Sequence, residues 1–151
     1  MTEPGAAIRP LLPSDLPGVS RLAAQLGYAS PVPAFSDRLA ALAGSPSHGL
    51  FVAESAGGRV AGWIHVAASR ALIHDPEAEI ISLVVEEEER GRRIGAGLVA
   101  AARAWARSRG LRRLRVRCRV EREGAHRFYV REGFHRDKTQ HVFSRALGLE
   151  D

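Results

Sequence analysis

Apolar residues recur along this chain with two periods. Leu16, Val19, Leu22, Ala23 and Leu26 fall three or four apart, which places them on one face of a helix that stops at Gly27. Ser14 is the expected N-cap of that helix, with Asp15 in its first turn and Pro17 early enough to be tolerated. A second helix is predicted from Pro33 through Leu42, with Phe35, Leu39 and Leu42 on one face. Before both, Ala6 to Arg9 reads as a short strand closed by Pro10. After them the period becomes two. Leu50 to Glu54, the turn Ala56-Gly57-Gly58 and Arg59 to Ala68 form a hairpin pattern, and Ile73 to Pro76 form a loop. Glu79-Ile80-Ile81-Ser82-Leu83-Val84-Val85 is β-branched and almost continuously apolar, the mark of a strand central in a sheet.

The helical period returns from Gly95 to Arg109, with Ile94, Leu98, Ala101, Ala102 and Trp105 in one stripe and Gly110 in the position of a C′ glycine. Leu114, Val116, Cys118 and Val120 then alternate with Arg113, Arg115, Arg117 and Arg119, a strand with one apolar and one arginine face. Glu123 to Glu132 reads as a short helix ended by Gly133, and Phe134 onward and Thr139 to Leu147 read as closing strands. The predicted order is β α α β β β α β α β β, a mixed α/β domain with no repeat and no linker.

Composition narrows the class. At 151 residues, 45% hydrophobic and 26% charged, the chain is expected to bury one core without staples. Cys118 is the single cysteine, so no intramolecular disulfide or thiolate metal cluster can be built and no metal is expected. With no signal-length apolar run at the N-terminus and no membrane-spanning stretch, the expected location is the cytoplasm. The net charge is +5, and all but one of the 22 basic side chains are arginine, Lys138 being the exception. That charge permits an anionic partner without naming it.

The loop Arg90-Gly91-Arg92-Arg93-Ile94-Gly95-Ala96-Gly97 lies between the strongest strand and an amphipathic helix. The first helical turn exposes amides without intrahelical acceptors, glycines let a diphosphate approach the backbone, and guanidinium groups add charge. No Lys-Ser or Lys-Thr follows, which excludes a Walker A loop. The dinucleotide fingerprint is disfavoured too. Its acidic residue should follow about twenty positions on, where this chain carries arginines.

Taken with Leu83-Val84-Val85 before it and Ala125-His126-Arg127-Phe128-Tyr129-Val130-Arg131-Glu132-Gly133-Phe134 after it, this loop resembles the GNAT superfamily of N-acetyltransferases. The resemblance covers nearly the whole chain and implies a single N-acetyltransferase domain over residues 1–151. The implied sheet is twisted, mixed and mostly antiparallel, flanked by helices, with two central strands splayed around CoA. In the family the pyrophosphate of acetyl-CoA sits on a Gln/Arg-x-x-Gly-x-Gly/Ala loop. The cofactor residues implied here are therefore Arg90, Gly91, Arg92, Arg93, Ile94, Gly95, Ala96 and Gly97. Opening the motif at Arg90-Gly91 puts Arg93 where the pattern has its middle glycine. A literal match also starts at Arg92, but the first register leaves Ile94 and Leu98 facing the core. Arg119 stands near the place of a family asparagine, and that contact is not carried over.

The resemblance further implies that backbone groups of Val84 and Val85 pair with pantetheine, and that an amide near Val85 polarises the thioester carbonyl. A neutral amine attacks directly, with no covalent enzyme intermediate. An alkyl ammonium loses its proton only near pH ~10.4, so a general base is needed. Glu79 is the expected base, placed with Ile81, Leu83 and Val85 on one strand face, and His65, His74 and Asp75 are alternatives. Tyr129, in the Phe-Tyr-x-x-x-Gly-Phe stretch, is expected to bind the cofactor and to protonate the leaving thiolate. Cys118 reads as core. The expected acceptor is a primary amine of a small molecule or peptide, with Tyr28, Phe35, His65, His74 and Asp75 near its site, and a homodimer is compatible with the family. Two alternatives stand beside this reading. One is a CoA-binding domain without catalysis. The other is a nucleic-acid module built on Arg112 to Arg119, disfavoured because no aromatic residues interleave the arginines.

Overall fold

The computed structural model describes residues 6–89 and 93–148, and the chain divides into two compact units, Met1–Arg117 and Cys118–Asp151. The first contains β1 (Ala7–Pro10), α1 (Leu16–Gln25), α2 (Val32–Leu42), β2 (His48–Glu54), β3 (Val60–Ser69), β4 (Glu77–Val85), α3 (Ile94–Ser108) and β5 (Leu114–Val116). Its five strands form one sheet in the order β1-β2-β3-β4-β5. β1 through β4 are antiparallel, and β5 joins β4 in parallel through Ala78↔Leu114, Glu79↔Arg115 and Ile80↔Val116.

Each face of this sheet carries a helix. Leu16, Val19, Leu22 and Ala23 of α1 bury against Val52, Val60, Trp63 and Val84, with Phe35 and Leu39 of α2 packed alongside. Side chains alternate along a strand, so Gly62 faces the other way, toward α3. A Cβ on Gly62 would lie 3.0 Å from Leu98 and 3.1 Å from both Ile94 and the Val84 carbonyl. The missing side chain lets the first turns of α3 rest on β3. Leu98, Val99, Ala102, Trp105 and Ala106 continue that buried stripe.

Arg9 ties the sheet edge to the chain entering α1. Its Nη1 and Nη2 donate to the two carboxylate oxygens of Asp15 at 2.8 Å each, and its Nε donates to Glu54 at 2.7 Å. Asp15 also accepts the Leu12 amide at 2.7 Å. Asp15 rather than Ser14 therefore organises this turn: a carboxylate that accepts both a guanidinium and an amide outcompetes a hydroxyl cap. The Arg9 hydrogen bond holds the Asp15 carboxyl below its ordinary pKa, outweighing the effect of burial.

The second unit holds α4 (Glu123–Arg131), closed at Gly133, whose φ of 97° is left-handed backbone that glycine adopts freely. Within this unit Tyr129 packs edge-to-face between Phe128 and Phe134, with ring centroids 5.1 and 5.5 Å away.

Three expectations need correction. The strand after α3 ends at Val116, so Cys118 is a half-buried free thiol beyond the sheet rather than a core residue, and Val120 is exposed. The closing strands over Phe134 onward and Thr139 to Leu147 do not form among the described residues. Residues 135–141 are almost wholly polar, and Val142, Phe143 and Leu147 lie exposed. Alternation without a paired, buried face does not hold a strand. Finally, Glu79, Ile81, Leu83 and Val85 do not share a face, because β4 bulges. Ser82 pairs with His65 and Ile80 with Val66, leaving Ile81 as the extra residue.

Candidate functional site

The bulge reorganises β4. Glu79 pairs with Ala67, Ser82 with His65 and Val84 with Trp63, so these three β4 side chains point to the face opposite α3. On the other edge, β5 bonds β4 only as far as Ile80. Backbone groups of a strand point alternately to its two edges. Some of the N–H and C=O groups between Ile81 and Val85 therefore face away from β3 without a strand partner among the described residues. β5 ends at Val116, so beyond Ile80 this edge of β4 is open to an extended, amide-bearing ligand.

The chain leaving β4 is anchored. Glu86 is buried and receives Arg21 Nη1 in a close ion pair, Gln25 Nε2 at 2.9 Å and Arg59 Nη2 at 3.5 Å. Burial raises its pKa, but the Gln25 and Arg21 hydrogen bonds with the Arg21 and Arg59 charges outweigh this and hold it below the ordinary carboxylate value. Glu86 belongs to a run of four glutamates, Glu86 to Glu89, and nothing in the sequence distinguishes it from its neighbours.

Arg90, Gly91 and Arg92 lie outside the described residues. Arg93 precedes α3 with φ 63°, the sole non-glycine among the described residues in left-handed backbone. Glycine adopts that conformation at least cost. The strain at Arg93 therefore supports the register that places a glycine position there. The Gly97 amide closes the first helical bond, to the Arg93 carbonyl at 3.0 Å. The amides of Ile94, Gly95 and Ala96 thus have no acceptor among the described residues, and the helix dipole favours an anion there.

Glu79 forms a close ion pair with Arg117, and Arg115 bonds Glu77 at 3.2 Å. Two alternate carboxylates on β4 thus meet two alternate arginines on the β5 side, which accounts for half of the arginine face from Arg113 to Arg119. On the same face as Glu79 and Ser82, His65 Nε2 and His48 Nδ1 share a 2.9 Å hydrogen bond. Burial, then the charge of His48, depresses the pKa of His65 to about 4, so His65 is neutral at physiological pH. His48 went unnoticed in the sequence, because its partner lies 17 residues away on the neighbouring strand.

The remaining candidates are dispersed. Tyr28 is exposed, and Phe35 packs on the α1 core under Arg38. His74 donates from Nδ1 to the Asp75 carbonyl at 2.7 Å in the β3–β4 loop. Tyr129 lies in the second unit, where burial and the charge of Cys118 push its phenol up to about 12 against the opposing charge of Arg122. No group of three His, Cys, Asp or Glu side chains able to hold a metal occurs among the described residues. No helix among them is long and apolar enough to cross a membrane.

The frame is thus a mostly antiparallel sheet whose last strand joins in parallel, with a bulged β4 that runs into a helix start. Residues 19–134 match the model of the acetyltransferase (GNAT) family, and the chain belongs to that family. Over 70 residues it is 41% identical to an aminoalkylphosphonate N-acetyltransferase from Salmonella typhimurium, a match covering 46% of this chain and 44% of that enzyme. The chain thus aligns with less than half the length of this curated relative. Its fold superposes on the aminoglycoside 6'-N-acetyltransferase AAC(6')-Ih from Acinetobacter baumannii with TM-score 0.82, at 18% identity over 95% of this chain and all of that one. It superposes on AAC(6')-Iy, solved with the bisubstrate analogue CoA-S-monomethyl-acetylneamine, with TM-score 0.81, at 18% identity over 93% and 98% of the two chains.

Proposed function

We propose that this protein is an acetyl-CoA-dependent N-acetyltransferase that moves an acetyl group directly to the primary amine of a small molecule or peptide. The observation that carries this reading is the one-sided pairing of β4 from Ile81 to Val85, continuing into the free amides of Ile94, Gly95 and Ala96. That arrangement fits an extended amide chain ending in a diphosphate. Acetyl-CoA would supply an activated thioester and a thiol leaving group. Backbone groups of Val84 and Val85 would bind its amide-bearing arm and orient the carbonyl. Arg90, Gly91, Arg92, Arg93, Ile94, Gly95, Ala96 and Gly97 would hold its diphosphate.

Glu79 takes the amine's proton in this reading, directly or through water, from a position beside the Arg117 guanidinium. Tyr129 returns a proton to the departing sulfur. A phenol pushed up to about 12 remains protonated throughout the working range and so can donate. The hydrogen bond between His48 and His65, on the face of Glu79, favours a second assignment of the base, to His65. The relative that acts on aminoalkylphosphonates supports a small amine as acceptor. In this reading the protein acts in the cytoplasm, as a monomer or homodimer, and uses no metal.

A panel of primary amines incubated with acetyl-CoA and read by free-thiol release tests the activity. Acceleration by at least one amine is expected, reduced by Glu79→Gln. Tight CoA binding with no amine accelerating thiol release would replace this reading with a non-catalytic CoA-binding domain.

A further inference from the structure

We propose that the hollow at the N-terminal end of β4 is a binding site for a phosphate-bearing anion, separate from the start of α3. The hollow, about 930 Å³ in volume, is walled by the β3–β4 loop and the α3–β5 loop. That volume lies in the range of small-molecule sites. β4 spans nine residues, so the hollow and the α3 start are separated by about 25 Å of strand.

Four arginines line it, Arg70 from one loop and Arg109, Arg112 and Arg113 from the other, against two carboxylates, Asp75 and Glu77. Glu77 is already satisfied by Arg115, which does not line the hollow. Arg70, Arg112 and Arg113 have no carboxylate partner among the described residues, in contrast to Arg9, Arg21, Arg115 and Arg117. Arg109 is fixed in place. Its guanidinium lies 4.3 Å over the Trp105 ring, its Nε donates to the Pro46 carbonyl at 3.1 Å and its Nη1 to Ser108 at 3.0 Å. None of these bonds uses Nη2, which stays available.

Guanidinium groups of one sign around a concave wall repel one another, and a multivalent anion relieves that repulsion. Their planar forks match the oxygens of a phosphate. The site takes a phosphate or diphosphate group. Leu72 and Ile73, exposed on the same wall, suit an organic remainder of the ligand. This assignment does not depend on the transferase reading.

Isothermal titration of inorganic pyrophosphate into the full chain, saturated with acetyl-CoA and at low salt, tests it. We expect one saturable event, weakened roughly tenfold or more in the double variant Arg112→Ala and Arg113→Ala. The pair Arg112→Lys and Arg113→Lys should recover part of the loss. The Arg113 carbonyl, which accepts the Ala78 amide at 2.8 Å, remains in these variants, so an unchanged melting temperature checks their folding. Acetyl transfer should be unaffected. Vesicles of phosphatidylglycerol identify the source of the phosphate. Co-sedimentation of the parent protein, lost in the alanine variant, assigns a lipid headgroup, whereas pyrophosphate binding without co-sedimentation assigns a soluble ligand. Absence of any saturable event, or equal pyrophosphate affinity in the parent and the alanine variant, overturns the proposal.

Discussion

From Ala78 to Ile80, β4 is paired on both edges, and its Glu77 and Glu79 carboxylates are matched by Arg115 and Arg117. From Ser82 to Val85 its strand partner among the described residues is β3 alone. Both halves belong to one apolar run, and the bulge at Ile81 separates them. The first half behaves as an ordinary central strand, closed by pairing and charge. In the second half, backbone hydrogen-bonding capacity is left over beside a helix start with the same surplus. Backbone polar groups are obligatory hydrogen-bonding groups, so this run needs water or a ligand as its partner, and the proposed function assigns it the ligand.

Substitutions at the junction should break this comparison most strongly. Glu79→Gln keeps shape and hydrogen bonding but removes the proton acceptor. If Glu79 is the base, kcat falls about 10² to 10⁴-fold with little change in the KM for acetyl-CoA. A fall confined to His65→Gln instead moves the base to the histidine pair. A smaller effect is expected at the anchor of the open half. Glu86→Ala leaves Arg21 and Gln25 without their acceptor and should cost about 2 kcal/mol in denaturant unfolding, since Arg21 is partly exposed. A cost near zero would remove Glu86 as an anchor.

Gly62→Ala sharpens the same contrast. The added Cβ meets Leu98, Ile94 and the rigid Val84 carbonyl, and should cost about 1 kcal/mol or more while raising the KM for acetyl-CoA by displacing α3. Folding should also depend on pH. Asp15 and Glu86 have folded-state pKa values below their ordinary ones, so the unfolded chain binds more protons in the window between the two. Their contribution is complete above about pH 5 and is lost as the pH falls through the carboxylate range. A midpoint of urea unfolding that stays constant from pH 6 to pH 3 would contradict this. The smallest effect is expected for Arg93→Gly, where relief of left-handed strain and the greater backbone freedom of glycine in the unfolded chain oppose each other, leaving stability within about 1 kcal/mol.

Much of this was legible in the sequence, for identifiable reasons. Leu16 to Leu26, Glu79 to Val85 and Ile94 to Trp105 bury continuous apolar faces, so their periods survive into the fold. Gly110 and Gly133 take the left-handed backbone expected of helix-ending glycines. What periodicity does not carry is partner and register. The bulge at Ile81 leaves no mark in a run that is apolar throughout, yet it moves Glu79 to the face of Ser82 and His65. The strands expected after Phe134 rested on alternation in a largely polar stretch. The pairing of Glu77 and Glu79 with Arg115 and Arg117 was readable in principle, since both strands repeat charge every second residue. Their adjacency, however, is a property of the sheet order. Of the residues proposed to hold acetyl-CoA, those whose proposed roles lie in backbone geometry, Val84, Val85 and Ile94 to Gly97, fall where the strand and helix boundaries put them.

Hydrogen–deuterium exchange of the backbone amides with and without acetyl-CoA tests the central claim most directly. Added protection is predicted among Ser82 to Val85 and Ile94 to Ala96, with little change from Ala78 to Ile80, where both edges are already paired. Saturating acetyl-CoA that leaves the amides of Ser82 to Val85 and Ile94 to Ala96 exchanging as in its absence would contradict it.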